Sequence, residues 1–204
     1  KVGLRISCEK TKCMSIGDHQ YQPVFVGQTS IEYVENFQYL GSYISRTGDA
    51  EIDVKARIGK AAAVFERLRP IWKSGTIRND MKLRLYQSIV LPTTIYAGET
   101  WKRTAVISNK LDVFHRRCLR TILGISWKDH ITNEELMKRA GMEDLRDIVS
   151  TRRRRFAGHV MRLPKERPAK IAMRWTPTEG RRKRGRPKTT WRKTFQEDLE
   201  EMGI

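Results

Sequence analysis

The spacing of apolar residues changes character near residue 47, and that change limits the fold more than any other feature of the 204-residue chain. Before it the period is two. In "VGLRISC", Val2, Leu4, Ile6 and Cys8 alternate with Gly3, Arg5 and Ser7, as in a strand whose two faces differ. "PVFVGQTSIEYV" reads as a hairpin, with Val24 and Val26 before a Gly27-Gln28 turn and Ile31 and Tyr33 after it. In "ENFQYLGSYIS", Phe37 and Tyr39 share a face, and Gly41 permits a bulge or a close backbone approach.

Beyond Asp49 the spacing is helical. Ile52, Ala56, Ala63, Leu68 and Trp72 recur loosely, with Pro70 late in the run. Asn79 or Asp80 can cap a second helix containing Met81, Leu85, Ile89 and Val90, which Pro92 interrupts or kinks. Leu111, Phe114, Cys118, Leu119 and Ile122 form a third stripe that ends at Gly124, suited to a left-handed C-terminal cap. Thr132 and Glu135 have the spacing of a capping box. Leu145, Ile148, Val149, Phe156, Val160 and Leu163 follow on a helix that Pro164 stops. Trp191, Phe195, Leu199 and Met202 then make a short amphipathic helix. The class is α+β: a small antiparallel β-hairpin region at the N-terminus, a mainly helical body and a basic C-terminal tail.

Charge narrows the partners. The net charge is +18 and the pI about 10.2, which points to nucleic acid or an anionic surface as partner. Residues 151–193 carry 17 Lys or Arg against 2 Asp or Glu, and residues 194–204 carry 4 acidic residues and no basic one. No run of eighteen apolar residues exists, so no membrane helix is expected. Three cysteines at unrelated spacings, Cys8, Cys13 and Cys118, argue against a disulfide framework and fit a reducing compartment. His115 and Cys118 would share a helix face, but His19, His130 and His159 complete no ligand-spaced set, so no metal is expected. No nucleophile–base set, phosphate-cradling loop or adjacent Asp pair is visible.

Six stretches occur in one order: "GLRISCEKTKCMSI", "VENFQYLGSYIS", "IYAGETW", "RRCLRTILGISWKDHITNEEL", "RRRRFAGHVMRLP" and "RGRPKTTW". Together they resemble the C-terminal third of reverse transcriptases from non-LTR (LINE-type) retrotransposons, over essentially the whole chain. The resemblance implies the end of the palm with its primer-grip hairpin over residues 1–46, a helical thumb over 47–124, and a basic helical or linker region over 125–204. The active-site segment with its paired Asp would precede this chain, which begins with Lys rather than Met and reads as a piece of a longer protein. Alone it is expected to be inactive and to hold no cofactor, whereas the intact polymerase would use Mg²⁺.

Residue by residue, the resemblance matches Lys10 to a lysine that approaches the leaving pyrophosphate, where it would act as acid or charge neutraliser; an ordinary surface lysine is the other reading. It matches Phe37, Tyr39, Leu40 and Gly41 to the primer grip, against a plain core hairpin. Lys55, Lys60, Arg67, Lys73, Arg78, Lys82 and Arg84 are available to phosphates along the thumb, though each singly reads as a solvated charge before it reads as a contact. Denser candidates are Arg116, Arg117 and Arg120, and then Arg152, Arg153, Arg154 and Arg155, four consecutive residues of which some must face the apolar side or a ligand.

In the tail, Arg181, Arg182, Lys183, Arg184, Arg186 and Lys188 crowd into "GRRKRGRPKTTW". "KRGRPK" by itself resembles an AT-hook core, in which Arg184 and Arg186 would enter a narrow minor groove; a nuclear localisation signal is a competing use. Trp191 either stacks on a base or starts the last helix. The expected function is binding of an RNA template and a DNA primer or target, beside the upstream fingers and palm and possible endonuclease of the same polyprotein, away from membranes. Nuclear location with cytoplasmic assembly follows. The alternative is a stand-alone, non-enzymatic nucleic-acid-binding protein derived from such an element.

Overall fold

A computed structural model describes residues 6–15, 22–175 and 189–203. It divides into two compact units, Lys1–Ala56 and Arg57–Ile204. The class is α+β, with short strand pairs in the first unit and helices through the second.

The first unit is built from turns. The strand expected over residues 2–8 is not formed in its described part. Ile6 and Ser7 are irregular and residues 8–10 form a turn, because the Thr11 backbone N–H and hydroxyl both donate to the Ser7 carbonyl, at 2.9 and 2.7 Å. Strand β1 (Lys12–Cys13) pairs in parallel with β4 (Glu32–Tyr33). Between them, β2 (Phe25–Val26) and β3 (Thr29–Ser30) form the expected hairpin about Gly27, whose φ is +62°. The longest pair joins β5 (Asn36–Tyr39) to β6 (Ser42–Ser45) in antiparallel register. Helix α1 (Glu51–Arg67) begins in this unit. Its buried Asp53 accepts the Tyr43 N–H at 2.9 Å and so fixes β6 to the helix start.

In the second unit, Pro70 divides the first helical run. Pro70 has no N–H to give the Glu66 carbonyl and its ring crowds that turn, so α1 stops and α2 (Arg69–Lys73) restarts with Pro70 in its first turn, where a missing N–H costs nothing. The Trp72 indole N–H donates to the Phe65 carbonyl at 2.8 Å, and the two rings stack at 5.1 Å. Helix α3 (Asn79–Leu85) has Arg78 as its cap residue, so Asn79 and Asp80 already lie inside it. Asp80 instead takes a bidentate contact from Arg78 at 3.1 and 3.2 Å.

Pro92 does not break the next run. A turn of π-helix, Tyr86–Val90, carries α3 into α4 (Leu91–Thr94), and the Leu91 N–H reaches back to the Tyr86 carbonyl. Widening the helix relieves the clash of a proline ring with the preceding turn. The Thr93 and Thr94 hydroxyls donate to the Ile89 and Val90 carbonyls, both at 2.9 Å.

Helix α5 (Ala105–Leu123) is the centre of the core, with Ile107, Leu111, Phe114, His115, Cys118, Leu119 and Ile122 buried along one stripe. It ends at Gly124, where φ is +67°. In α6 (Asn133–Ala140) the Thr132 hydroxyl accepts the Glu135 N–H at 3.2 Å, while the Glu135 carboxylate turns to Arg139 at 2.7 Å. The reciprocal capping box lies a few residues earlier, between Ser126 and Asp129, around a 3₁₀ turn over Trp127–Asp129.

Helix α7 (Leu145–Arg162) packs on α5, and α8 (Pro168–Arg174) and α9 (Trp191–Glu200) pack on α7. "IYAGETW" is a packing device in this unit. Ile95 and Trp101 are buried, and a Cβ at Gly98 would sit 3.3 Å from the Trp101 ring and 3.4 Å from Val149. Among the described residues no helix is long and apolar enough to cross a membrane.

Candidate nucleic-acid interface

The β5–β6 hairpin turns on two residues, Leu40 and Gly41, with φ of +47° and +84°. Such a two-residue turn needs positive φ at both central positions, which Gly adopts freely and a γ-branched residue does not. Gly41 therefore closes the turn itself rather than interrupting a strand. Phe37 lies opposite Ile44, and Tyr39 opposite Ser42, so Phe37, Tyr39 and Ile44 share one face. Tyr39 is 58% and Leu40 78% exposed. A strained, exposed Leu beside an exposed Tyr makes an apolar tip held at one end by Asp53. Lys10 lies in the turn that opens this unit, and its side chain is exposed.

The arginines of the second unit separate into engaged and exposed groups. Arg116 grips Asp144 bidentately at 3.1 and 2.6 Å, which raises its pKa further. Arg120 donates to the Ile131 carbonyl at 2.9 Å and to Asn133 at 3.1 Å. Arg117 is exposed. In the four-residue run, Arg152 reaches the Ile95 carbonyl and Arg154 the hydroxyls of Ser150 and Thr151. Arg153 is only 2% exposed and pairs with Asp198 of α9, which is wholly buried. Of the two possibilities the sequence left open for this run, Arg153 therefore takes the apolar side, and Arg155 faces solvent.

Arg103 closes the same cluster. It holds Glu201 at 2.6 and 2.8 Å and lies 3.6 Å from Asp198, and the hydrogen bond to Glu201 pushes its pKa up. Lys82 is buried and donates to the Trp72 carbonyl at 3.0 Å. Lys55 and Arg78 pair with Glu51 and Asp80, while Lys60, Arg67, Lys73 and Arg84 are exposed. Arg181, Arg182, Lys183, Arg184, Arg186 and Lys188 lie outside the described residues.

Trp191 belongs to the packing of α9. It stacks on Phe195 at 5.9 Å, meets Phe156 edge-on at 6.3 Å and donates its N–H to the Glu99 carbonyl at 2.7 Å. Trp127, which the sequence reading passes over, is 80% exposed. Its available signal was the Ser-x-x-Asp spacing of Ser126 and Asp129 around a tryptophan in a polar stretch.

The buried titratable groups serve the core. The Tyr86 hydroxyl and His115 Nδ1 are 2.7 Å apart. Burial lowers the His115 pKa to about 4, raises Cys118 to about 12, and raises Tyr86. Cys8, Cys13 and Cys118 are free thiols. Among the described residues no group of three or more His, Cys, Asp or Glu is arranged to hold a metal ion. A cavity of about 330 Å³ beside Phe156, Met173 and Trp191 is lined almost wholly by apolar side chains.

The chain is similar to a transposon-derived protein of Caenorhabditis elegans, described as uncharacterized. Identity is 26% over 209 residues, covering 98% of this chain and 74% of the relative. No protein-family model matches, and no solved structure matches.

Proposed function

We propose that this chain is the C-terminal part of a non-LTR retrotransposon reverse transcriptase, and that it binds template–primer and target nucleic acid for that polymerase. The observation that carries the reading is the ordered motif series from "GLRISCEKTKCMSI" to "RGRPKTTW", in a chain aligned over 98% of its length with a transposon-derived protein. That alignment supports a transposon origin.

Two features of the fold agree with the reading. The β5–β6 tip offers Tyr39 and Leu40 to a primer strand, with Gly41 allowing the turn to be tight. Arg117 and Arg155 offer exposed guanidinium groups to phosphates, and the basic tail supplies further charge. In the intact enzyme the catalytic Asp pair comes from the upstream palm, Lys10 approaches pyrophosphate, and assembly in the cytoplasm precedes work in the nucleus.

The test is anisotropy with a labelled DNA primer annealed to RNA, against blunt duplex, over a salt series. If roughly six phosphates are neutralised, the log–log slope on duplex is near −5, from about 0.9 per phosphate. Changing the six tail cations, Arg181 to Lys188, to Ala flattens the slope. Tyr39→Ala with Leu40→Asp weakens primer–template binding and spares blunt duplex. No binding at low salt overturns the proposal. Binding that ignores both the primer end and the tip variant favours the stand-alone nucleic-acid-binding protein instead.

A further inference from the structure

The most exposed large apolar side chain among those described is Trp127, and the turn beneath it is firmly built. Ser126 Oγ accepts the Lys128 N–H at 3.2 Å, and the Asp129 carboxylate accepts the Ser126 N–H at 2.6 Å. His130 closes the turn with φ of +48°, a strained conformation for a residue with a Cβ. The flanks are tied as well. Gly124 ends α5 in the left-handed region and the Ile125 N–H returns to the Arg120 carbonyl at 2.9 Å. Arg120 in turn holds the Ile131 carbonyl and Asn133 on the far side. An indole left in water on a pre-ordered turn loses little further entropy when it is covered.

The local charges indicate what covers it. Lys128 Nζ lies 5.8 Å from the centre of the Trp127 ring, within cation–π range. The nearby carboxylates are largely used internally: Asp129 in the capping box and Glu135 by Arg139 at 2.7 Å. Glu134 remains on the first turn of α6. Arg117, two turns earlier on α5, is exposed. A flat ring with a cation beside it suits a base and its phosphate, since every base has a π-face and aromatic stacking tolerates any sequence.

We infer that Trp127 is a stacking site for an unpaired base of single-stranded nucleic acid, with Lys128 serving the adjoining phosphate. The inference rests on the nucleic-acid reading above and adds a strand type and a residue to it.

The experiment measures binding of a 15-nucleotide deoxythymidine strand and of a duplex to the full chain and its variants. Trp127→Ala weakens the single strand by about 5- to 150-fold, with the salt slope unchanged. Trp127→Phe keeps most of the affinity, and duplex binding hardly changes for either. Ser126→Ala with Asp129→Asn loosens the turn and weakens the single strand while Trp127 is still present. Thermal melting of Trp127→Ala matches the parent, because the ring buries little surface. If the parent chain binds no nucleic acid, the proposed function fails and this inference with it. If the parent binds and Trp127→Ala holds the single strand equally well, the inference alone is overturned and the indole is left for a protein contact.

Discussion

Arg153 and Asp198 are 45 residues apart, and neither meets solvent. A buried ion pair is costly to break from one side, because the remaining charge has no water to receive it. Asp198→Ala is expected to destabilise the chain by about 3–5 kcal/mol, read from urea unfolding midpoints. Replacing both partners together, Arg153→Met with Asp198→Leu, recovers most of that loss. A single variant as stable as the parent would show that the pair does not hold α9.

His115 supplies a pH-dependent term. Burial depresses its folded pKa to about 4 from 6.5, against smaller opposing effects of Asp144 and the Glu143 backbone. Above pH 6.5 it is neutral in both states and costs nothing. As pH falls from 6.5 to about 4, the unfolded chain takes up a proton that the folded chain refuses, so stability declines. The full decline from this group is about 3 kcal/mol. His115→Gln offers the Tyr86 hydroxyl both a donor and an acceptor and removes this slope. Unfolding midpoints at pH 7 and pH 5 make the check. Asp112, whose pKa burial raises, acts with the opposite sign and loses stability as pH rises through the carboxylate range.

At the scale of elements, α9 decides between two roles for Trp191. Its ring stacks within the helix and its N–H is occupied by Glu99. Trp191→Ala is therefore expected to cost about 2–3 kcal/mol in stability, below the range for a fully buried Trp, and to leave single-strand affinity unchanged. Unfolding and anisotropy on the same variant separate the roles: lost affinity at unchanged stability would return Trp191 to a base.

The elements were legible where their signals are local. Gly124 ends α5 and Thr132 caps α6, because a left-handed glycine and a hydroxyl acceptor act on neighbouring backbone. The π-turn before Pro92 was not legible. Proline says that a regular helix cannot continue unchanged, but packing on both sides decides whether it breaks or widens, and Tyr86 and Val90 are both buried. In its described residues, 6–8, the expected first strand gives way to a turn for a related reason. Alternation over "VGLRISC" is a weak preference, and a threonine four residues beyond Ser7 turned the chain.

For the whole molecule, hydrogen exchange tests the two compact units. The second has a continuous buried core along α5 and α7, whereas the first has strands of two to four residues, several with exposed side chains. Short hairpins open more readily than packed helices. Amides of α5 and α7 are expected to exchange slowest and those of β2–β3 and β5–β6 fastest. A map with the hairpins most protected would contradict this order.

The α+β class, the change of period near residue 47, the positions of the long helices and the concentration of positive charge towards the end are all readable from the order of the amino acids. These depend on spacing and composition, which are properties of a linear chain. Which charges stay available depends on how the helices pack. Four successive arginines point around the full circumference of a helix, and no local rule says which side will meet a carboxylate. Asp198 lies far along the chain, and packing of α9 on α7 turned Arg153 inward and left Arg155 in solvent. The exposure of Trp127 was decided in the same way: apolar character predicts burial on average, but here the capped turn and its anchors left the ring outside the core.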